Sequence, residues 1–304
     1  MSIKQLLSAL CITLCLCLGV GWVLVFFQST ATVRYTLAEQ HEIVPGGNEH
    51  GKDIASQESG NKGVQPVFNP PALEDAPEGI REAVLLGYKI MMDTPTYAGE
   101  YVGNELSCRN CHFDAGRRRD TISLVGVAAV YPRYRSRREY SADLTLRTQG
   151  CFERSMNGTA PPANSQVMQS LKAYYFWISK NIPIYSDIPW LGLRGPVLND
   201  YTPDPAKGRQ VFQAVCSRCH GQDGTGTPIA PPLWGNGSFN DGAGMNTIKH
   251  FSDFSYRFMP KNGPMLSKEQ AMDVAGYAQA QTRPHFVASH PNRVEQVISV
   301  KGEE

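Results

Sequence analysis

Four stretches of the chain carry apolar residues at helical spacing, and each follows a residue suited to opening a helix. After Asp75 and Pro77, the residues Ile80, Val84, Tyr88 and Met91 share one face. After Asn164 or Ser165, the inward positions are Val167, Leu171, Tyr174 with Tyr175, and Ile178. Asp204-Pro205 opens a third helix with Gly208, Val211, Phe212 and Val215 as its stripe, since Pro is tolerated in a first turn. Ser267-Lys-Glu-Gln270 is a capping box, followed by Ala271, Val274, Ala275 and Ala278. A loop through Tyr97–Asn104 and a proline-rich stretch, Pro183–Pro203, separate these segments. No strand–helix–strand alternation is present, so the pattern predicts a mainly α protein.

The N-terminus differs. Leu6–Phe27 is a run of 22 residues without charge, preceded by Lys4. About 20 apolar residues span a bilayer, whereas a cleaved signal has a core of 7–15. The run therefore reads as a single-span membrane anchor in preference to a signal cleaved near Ser29-Thr30-Ala31, and either reading exports the rest of the chain. Residues 36–71 are polar and rich in Gly, Asn, Glu and Pro, the composition of a flexible tether.

Composition narrows the class. The 304 residues carry 29 basic and 28 acidic side chains, a net charge of +1, which argues against a nucleic-acid binder. Eight Cys are too few for a disulfide scaffold. Their positions say more than their number. Cys11, Cys15 and Cys17 lie in the apolar run, where Cys packs as a small hydrophobe. Cys108-Arg-Asn-Cys111-His112 and Cys216-Ser-Arg-Cys219-His220 are two Cys-x-x-Cys-His motifs, the attachment signature of c-type haem. Two thiols add to the vinyl groups of one porphyrin, and the adjacent His coordinates its iron. A zinc site would need a second Cys/His pair nearby, and neither motif has one. The fold expectation is two cytochrome c-type haem domains in tandem: 1–30 anchor or signal, 31–74 linker, 75–185 first domain, 186–202 connection, 203–290 second domain, 291–304 tail. Small cytochromes c cross their first and last helices through a Gly and an aromatic, and Gly208, Phe212 and Tyr277 are placed for that contact.

An electron-transfer haem usually has a second strong axial ligand, often Met. After His220 the candidates are Met245, Met259, Met265 and Met272, of which Met259-Pro260, ahead of the last helix, is the first choice and Met265 the second. Met259 lies 39 residues after His220, and the same step from His112 reaches Cys151. The alternative at the first iron is Met156, with Cys151 a buried thiol. Nine Arg, no Lys and five acids lie between Phe113 and Arg154, so this segment is strongly positive around Cys151. Planar guanidinium donors suit oxyanions and positive potential favours a thiolate, which points to an anionic substrate. A docking face for an acidic partner is the competing reading.

Cys151-Phe-Glu-Arg-Ser-Met-Asn-Gly158 resembles the di-haem thiosulfate dehydrogenases. The likeness includes Tyr101-Val-Gly-Asn-Glu-Leu-Ser-Cys108, Ser238-Phe-Asn-Asp-Gly-Ala-Gly-Met245 and Met259-Pro260, and extends over roughly residues 77–284. It implies His112/Cys151 ligation at a catalytic haem, an electron-exit haem held by His220 and Met259, and substrate contacts from Arg137, Arg147 and Ser155. The implied reaction couples two thiosulfate ions into tetrathionate and releases two electrons, or runs in reverse. Some relatives carry Lys immediately before the second haem's Met; here Phe258 stands there and Lys261 follows two residues after Met259. An electron-accepting or electron-donating redox protein, a periplasmic location and membrane attachment through the N-terminal run complete the expectation. A membrane-anchored di-haem electron carrier without chemistry of its own is the alternative.

Overall fold

The computed structural model describes residues 65–119, 121–135, 140–193, 198, 200–261 and 263–287. The apolar run at Leu6–Phe27, most of the tether, Arg137 and the C-terminal tail lie outside the described residues. Among the described residues no helix is long and apolar enough to cross a membrane.

The first module is built on α1 (Glu78–Met92), α2 (Thr94–Ala98), α3 (Leu144–Arg154) and α4 (Gln166–Ile178). The second has α5 (Pro205–Val211), α6 (Ser217–His220), α7 (Ile248–Phe258) and α8 (Lys268–Gln279). A short antiparallel ribbon joins β1 (Arg133–Arg135) to β2 (Tyr140–Ala142), with Tyr134 opposite Ser141. Helix starts obey local chemistry. Ser165, rather than Asn164, caps α4 by accepting from the Met168 amide at 3.2 Å, and Asp204 caps α5. The Ser267/Gln270 capping box of α8 forms in full.

Each module closes through one helix crossing. In the second, a Cβ on Gly208 would overlap the Asp273 carbonyl and crowd Tyr277, so α5 and α8 meet backbone to backbone. Phe212 packs beside this point, with ring centroids 5.7 Å from Tyr277 and 4.8 Å from Trp234. The anticipated Gly–aromatic crossing is therefore present. The first module repeats it with Gly87 of α1 against Ser170 and Tyr174 of α4. That crossing rotates α1 relative to its expected stripe: Val84, Gly87, Ile90 and Met91 are buried, while Ile80 is exposed. In α4 and α8 the expected apolar positions are all buried.

Two connections are more ordered than their composition suggests. Trp177 donates to the Ala72 carbonyl at 2.9 Å and Arg117 to that of Pro71 at 2.9 Å, so the end of the tether lies on the first module. Trp190, in the proline-rich connection, is buried against Val125 and donates to its carbonyl at 2.8 Å. Between α5 and α6, Phe212–Cys216 forms a wider π-helical turn. Such turns insert one residue into a helix, and they concentrate at functional sites.

Candidate functional site: two haem-binding motifs and a cysteine helix

The first Cys-x-x-Cys-His motif follows a loop held on both sides. Thr94, fully buried, accepts from the Cys108 amide at 3.1 Å and donates to the Ile90 carbonyl at 2.9 Å. Ser107 and Asn110 form a capping box around the turn Cys108–Asn110. His112 Nδ1 lies 2.7 Å from the Ile122 carbonyl, and His220 Nδ1 lies 2.7 Å from the Pro231 carbonyl. A carbonyl only accepts, so both Nδ1 atoms carry the proton and both Nε2 atoms keep a lone pair. Burial holds both imidazoles neutral, lowering His112 to about 4 against the opposing pull of the Ile122 bond, and lowering His220 as well. Ile122 sits at φ 52, a costly conformation for a β-branched residue, and it is the residue that aims this carbonyl.

These features fit c-type haem. Neutral, oriented imidazoles are what axial ligation needs, and the carbonyl on the other nitrogen sets the tautomer and ring angle. None of the four motif cysteines is paired in a disulfide. Among the described residues no three His, Cys, Asp or Glu side chains converge as a metal-ion site would require.

Cys151 lies on α3, one turn after Arg147 and one turn before Ser155, so the three share a face. Arg147 Nη1 donates to Cys151 Sγ at 2.7 Å. The sulfur raises the Arg147 pKa against the effect of burial, so the guanidinium stays charged. Cys151 also acts electrostatically on Cys108 and Cys111, and Arg147 on His112, which places this face of α3 opposite the first motif. Tyr175, buried on α4, completes the surroundings: burial raises its pKa most, Cys108 and Cys151 add to the rise, and its hydroxyl donates to Met91 Sδ at 3.6 Å. Met156, the alternative ligand, is core-packed at 3% exposure. Arg137 lies outside the described residues.

The turn after α3 is locked against the approach to the first motif. Gly103 and Gly158 face opposite backbones with no room for a Cβ, and Gly103 donates to the Met156 carbonyl at 2.9 Å. Asn104 donates to the carbonyls of Ser155 at 3.2 Å and Ser238 at 3.1 Å, so one side chain ties the cysteine helix to the second module. Met259 follows α7 and is half-buried beside Phe113, Phe254 and Phe258. Met265 is 70% exposed.

Sequence reasoning singled out Arg147, Cys151, Ser155 and the motif residues, and the structure brings the first three onto one helix. It missed Thr94, Tyr175, Ile122 and Pro231. Asp93-Thr94-Pro95 signals only a helix start, and a carbonyl donor to histidine leaves no mark on residue type.

This architecture defines a class: a tandem c-type cytochrome carrying covalently attached haem. Residues 97–184 match the family model described as SoxA/TsdA, cytochrome c domain, and residues 203–277 match that described as cytochrome C oxidase, cbb3-type, subunit III. The chain is 39% identical over 229 residues to a thiosulfate dehydrogenase of Thiomonas intermedia, covering 73% of each chain. It is 38% identical to one from Stutzerimonas stutzeri, covering 75% of this chain and 77% of that one. The chain therefore belongs to the thiosulfate dehydrogenase family. A solved thiosulfate dehydrogenase, TsdBA from Marichromatium purpuratum, superposes with a TM-score of 0.70 at 30% identity over 78% of this chain. The match spans about half, 54%, of that longer chain.

Proposed function

We propose that this chain interconverts thiosulfate and tetrathionate on the α3 face formed by Arg147, Cys151 and Ser155. Cys108, Cys111, His112 and Cys151 would hold the first haem; Cys216, Cys219, His220 and Met259 would hold the second. Half-burial of Met259 and exposure of Met265 support that choice. When bound, the haems accept the two electrons of the reaction one at a time.

The observation that carries the reading is the 2.7 Å contact between Arg147 and Cys151. A guanidinium at that distance donates to the sulfur and remains beside it to receive an anion. Thiosulfate is a dianion, and bringing two together costs Coulomb repulsion that fixed cations offset. Released from its role at the first haem, Cys151 would bond through its sulfur to the sulfane sulfur of the first thiosulfate, the two electrons passing to the haems. The second thiosulfate attacks that sulfur, releasing tetrathionate and returning Cys151 as thiolate, in the manner of thiol–disulfide exchange. Arg147 stays charged throughout, and Ser155, a turn further on, faces the same substrate. Arg137 is proposed as a second anion contact.

A Cys151→Ala variant that retains both haems is expected to lose thiosulfate-dependent reduction of an acceptor dye. Unchanged turnover would overturn Cys151 as the nucleophile. We further propose export to the periplasm, attachment through Leu6–Phe27 and electron exchange with a separate redox protein, on the strength of the apolar run and the haem motifs. Membrane fractionation with and without residues 1–30 tests the attachment.

A further inference from the structure

We propose a second anion site, in the cleft between the two modules, that takes a small divalent sulfur oxyanion and couples its binding to the redox state of the haems. The cleft has a volume of about 290 Å³ and is lined by Phe113 and Arg118 of the first module and Arg257, Phe258, Lys261 and Pro264 of the second. Three lining side chains are cationic, and none of the named six is acidic.

The arrangement gathers like charge onto one spot. The Arg118 guanidinium lies 5.8 Å and the Lys261 ammonium 5.3 Å from the centroid of the same ring, Phe113. An exposed cation–π contact contributes only about 0.5–1 kcal/mol, and two cations on one ring repel each other. An anion between them reverses the sign of that interaction. Two guanidiniums and an ammonium are the donors that recognise doubly charged oxyanions. The floor is fixed, because Phe113 packs edge-on to Phe254 at 5.8 Å and to Phe258 at 6.0 Å. The volume falls at the small end of ligand pockets, which suits an ion rather than a segment of protein.

Position gives the site its consequence. Phe113 follows His112 directly and Phe258 precedes Met259 directly. An anion here sits between the two segments that carry axial-ligand residues, where negative charge favours the oxidised iron. Binding and potential are then linked reciprocally. If the oxidised protein binds the anion tenfold more tightly, the one-electron midpoint falls by about 59 mV. Neither Arg147 nor Cys151 lines the cleft, so the proposal stands whether or not Cys151 is the nucleophile.

The test uses the purified holoprotein and an Arg118→Gln/Lys261→Gln variant, whose exposed positions make the exchange mild for folding. Labelled sulfate and thiosulfate are measured by equilibrium dialysis, and the haem midpoints by redox titration with sulfate or with chloride at matched ionic strength. Wild type should bind sulfate and thiosulfate at this site at least tenfold more tightly than the variant. Sulfate should lower a haem midpoint in wild type and not in the variant. Equal binding by the two proteins, or a chloride effect as large as that of sulfate, overturns the proposal. Slower electron transfer from the variant to an acidic acceptor protein, with sulfate binding unchanged, overturns it in favour of a docking face.

Discussion

The side-chain amide of Asn240 donates to the carbonyl of Glu153 at 2.9 Å, joining a loop of the second module to the end of the helix that bears Cys151. The same nitrogen reaches Asn157 Oδ1 at 3.2 Å, and the Asn240 backbone amide donates to the Arg154 carbonyl at 3.1 Å. Asn240 is buried, so these groups have no water to fall back on. The last carbonyls of a helix need partners, and here the other module supplies them.

Asn240→Leu removes the donor while keeping bulk. It is expected to cost about 1–3 kcal/mol, the penalty for orphaned buried polar groups. Denaturant titration checks the stability. Paramagnetic resonance of the oxidised protein should show a heterogeneous first haem, while a purely structural effect would leave that signal unchanged.

Arg147→Gln is expected to lower kcat/KM for thiosulfate by about 10²–10³-fold, the range found when one donor to a developing charge is removed. Arg147→Lys should recover part of this, since it restores charge without the planar pair of donors. Steady-state kinetics with a dye acceptor gives both values.

Thr94→Val conserves shape and deletes the hydroxyl that receives the Cys108 amide. We expect a loss of about 1–3 kcal/mol from the orphaned buried amide. The midpoint of denaturant unfolding, followed by haem absorbance, measures it.

Gly87→Ala and Gly208→Ala each push a methyl into a facing helix backbone. Overpacking of this kind costs about 1–3 kcal/mol. The two sites belong to different modules and share no partner, so the double variant should show nearly additive losses in thermal unfolding.

Asp241 accepts from the Phe286 amide at 2.7 Å and pairs with His285 at 2.6 Å, and both interactions hold its carboxyl below the ordinary range, the Phe286 bond most. A depressed folded-state pKa stabilises docking of residues 285–287 above the ordinary carboxylate pKa. That stabilisation is lost as pH falls through the depressed value. The protection factor of the Phe286 amide should therefore fall in acid, and Asp241→Asn should remove that pH dependence.

Much of the helical frame was legible because its helices bury one apolar stripe against one partner. α4 and α8 carry that stripe openly, and the Gly208–Phe212–Tyr277 crossing follows from it. The helix that matters most, α3, was not legible as a helix. Its face toward the first motif is Arg147, Cys151 and Ser155, which are polar, so hydrophobic period gives no signal there. Ile80 misled for a related reason: Gly87 draws α1 in so closely that the buried face turns toward Ile90. Spacing from His112 and the arginine-rich context made Cys151 a candidate, and the likeness of residues 151–158 to the di-haem thiosulfate dehydrogenases singled it out; the cross-module contacts of Asn104 and Asn240 leave no local pattern to find.

The π-helical turn at Phe212–Cys216 sets a rotation as well as a distance. With 3.6 residues per turn, one inserted residue swings everything beyond it by about 100° around the axis. Phe212 can thus stay locked into Trp234 and Tyr277 while Cys216, Cys219 and His220 face another direction. The exposed side chains of Gln213 and Ala214 are open to exchange, but the residue count of the turn is not. Deleting one residue between Phe212 and Cys216 would leave the crossing intact and point the haem-binding motif away from its own pocket.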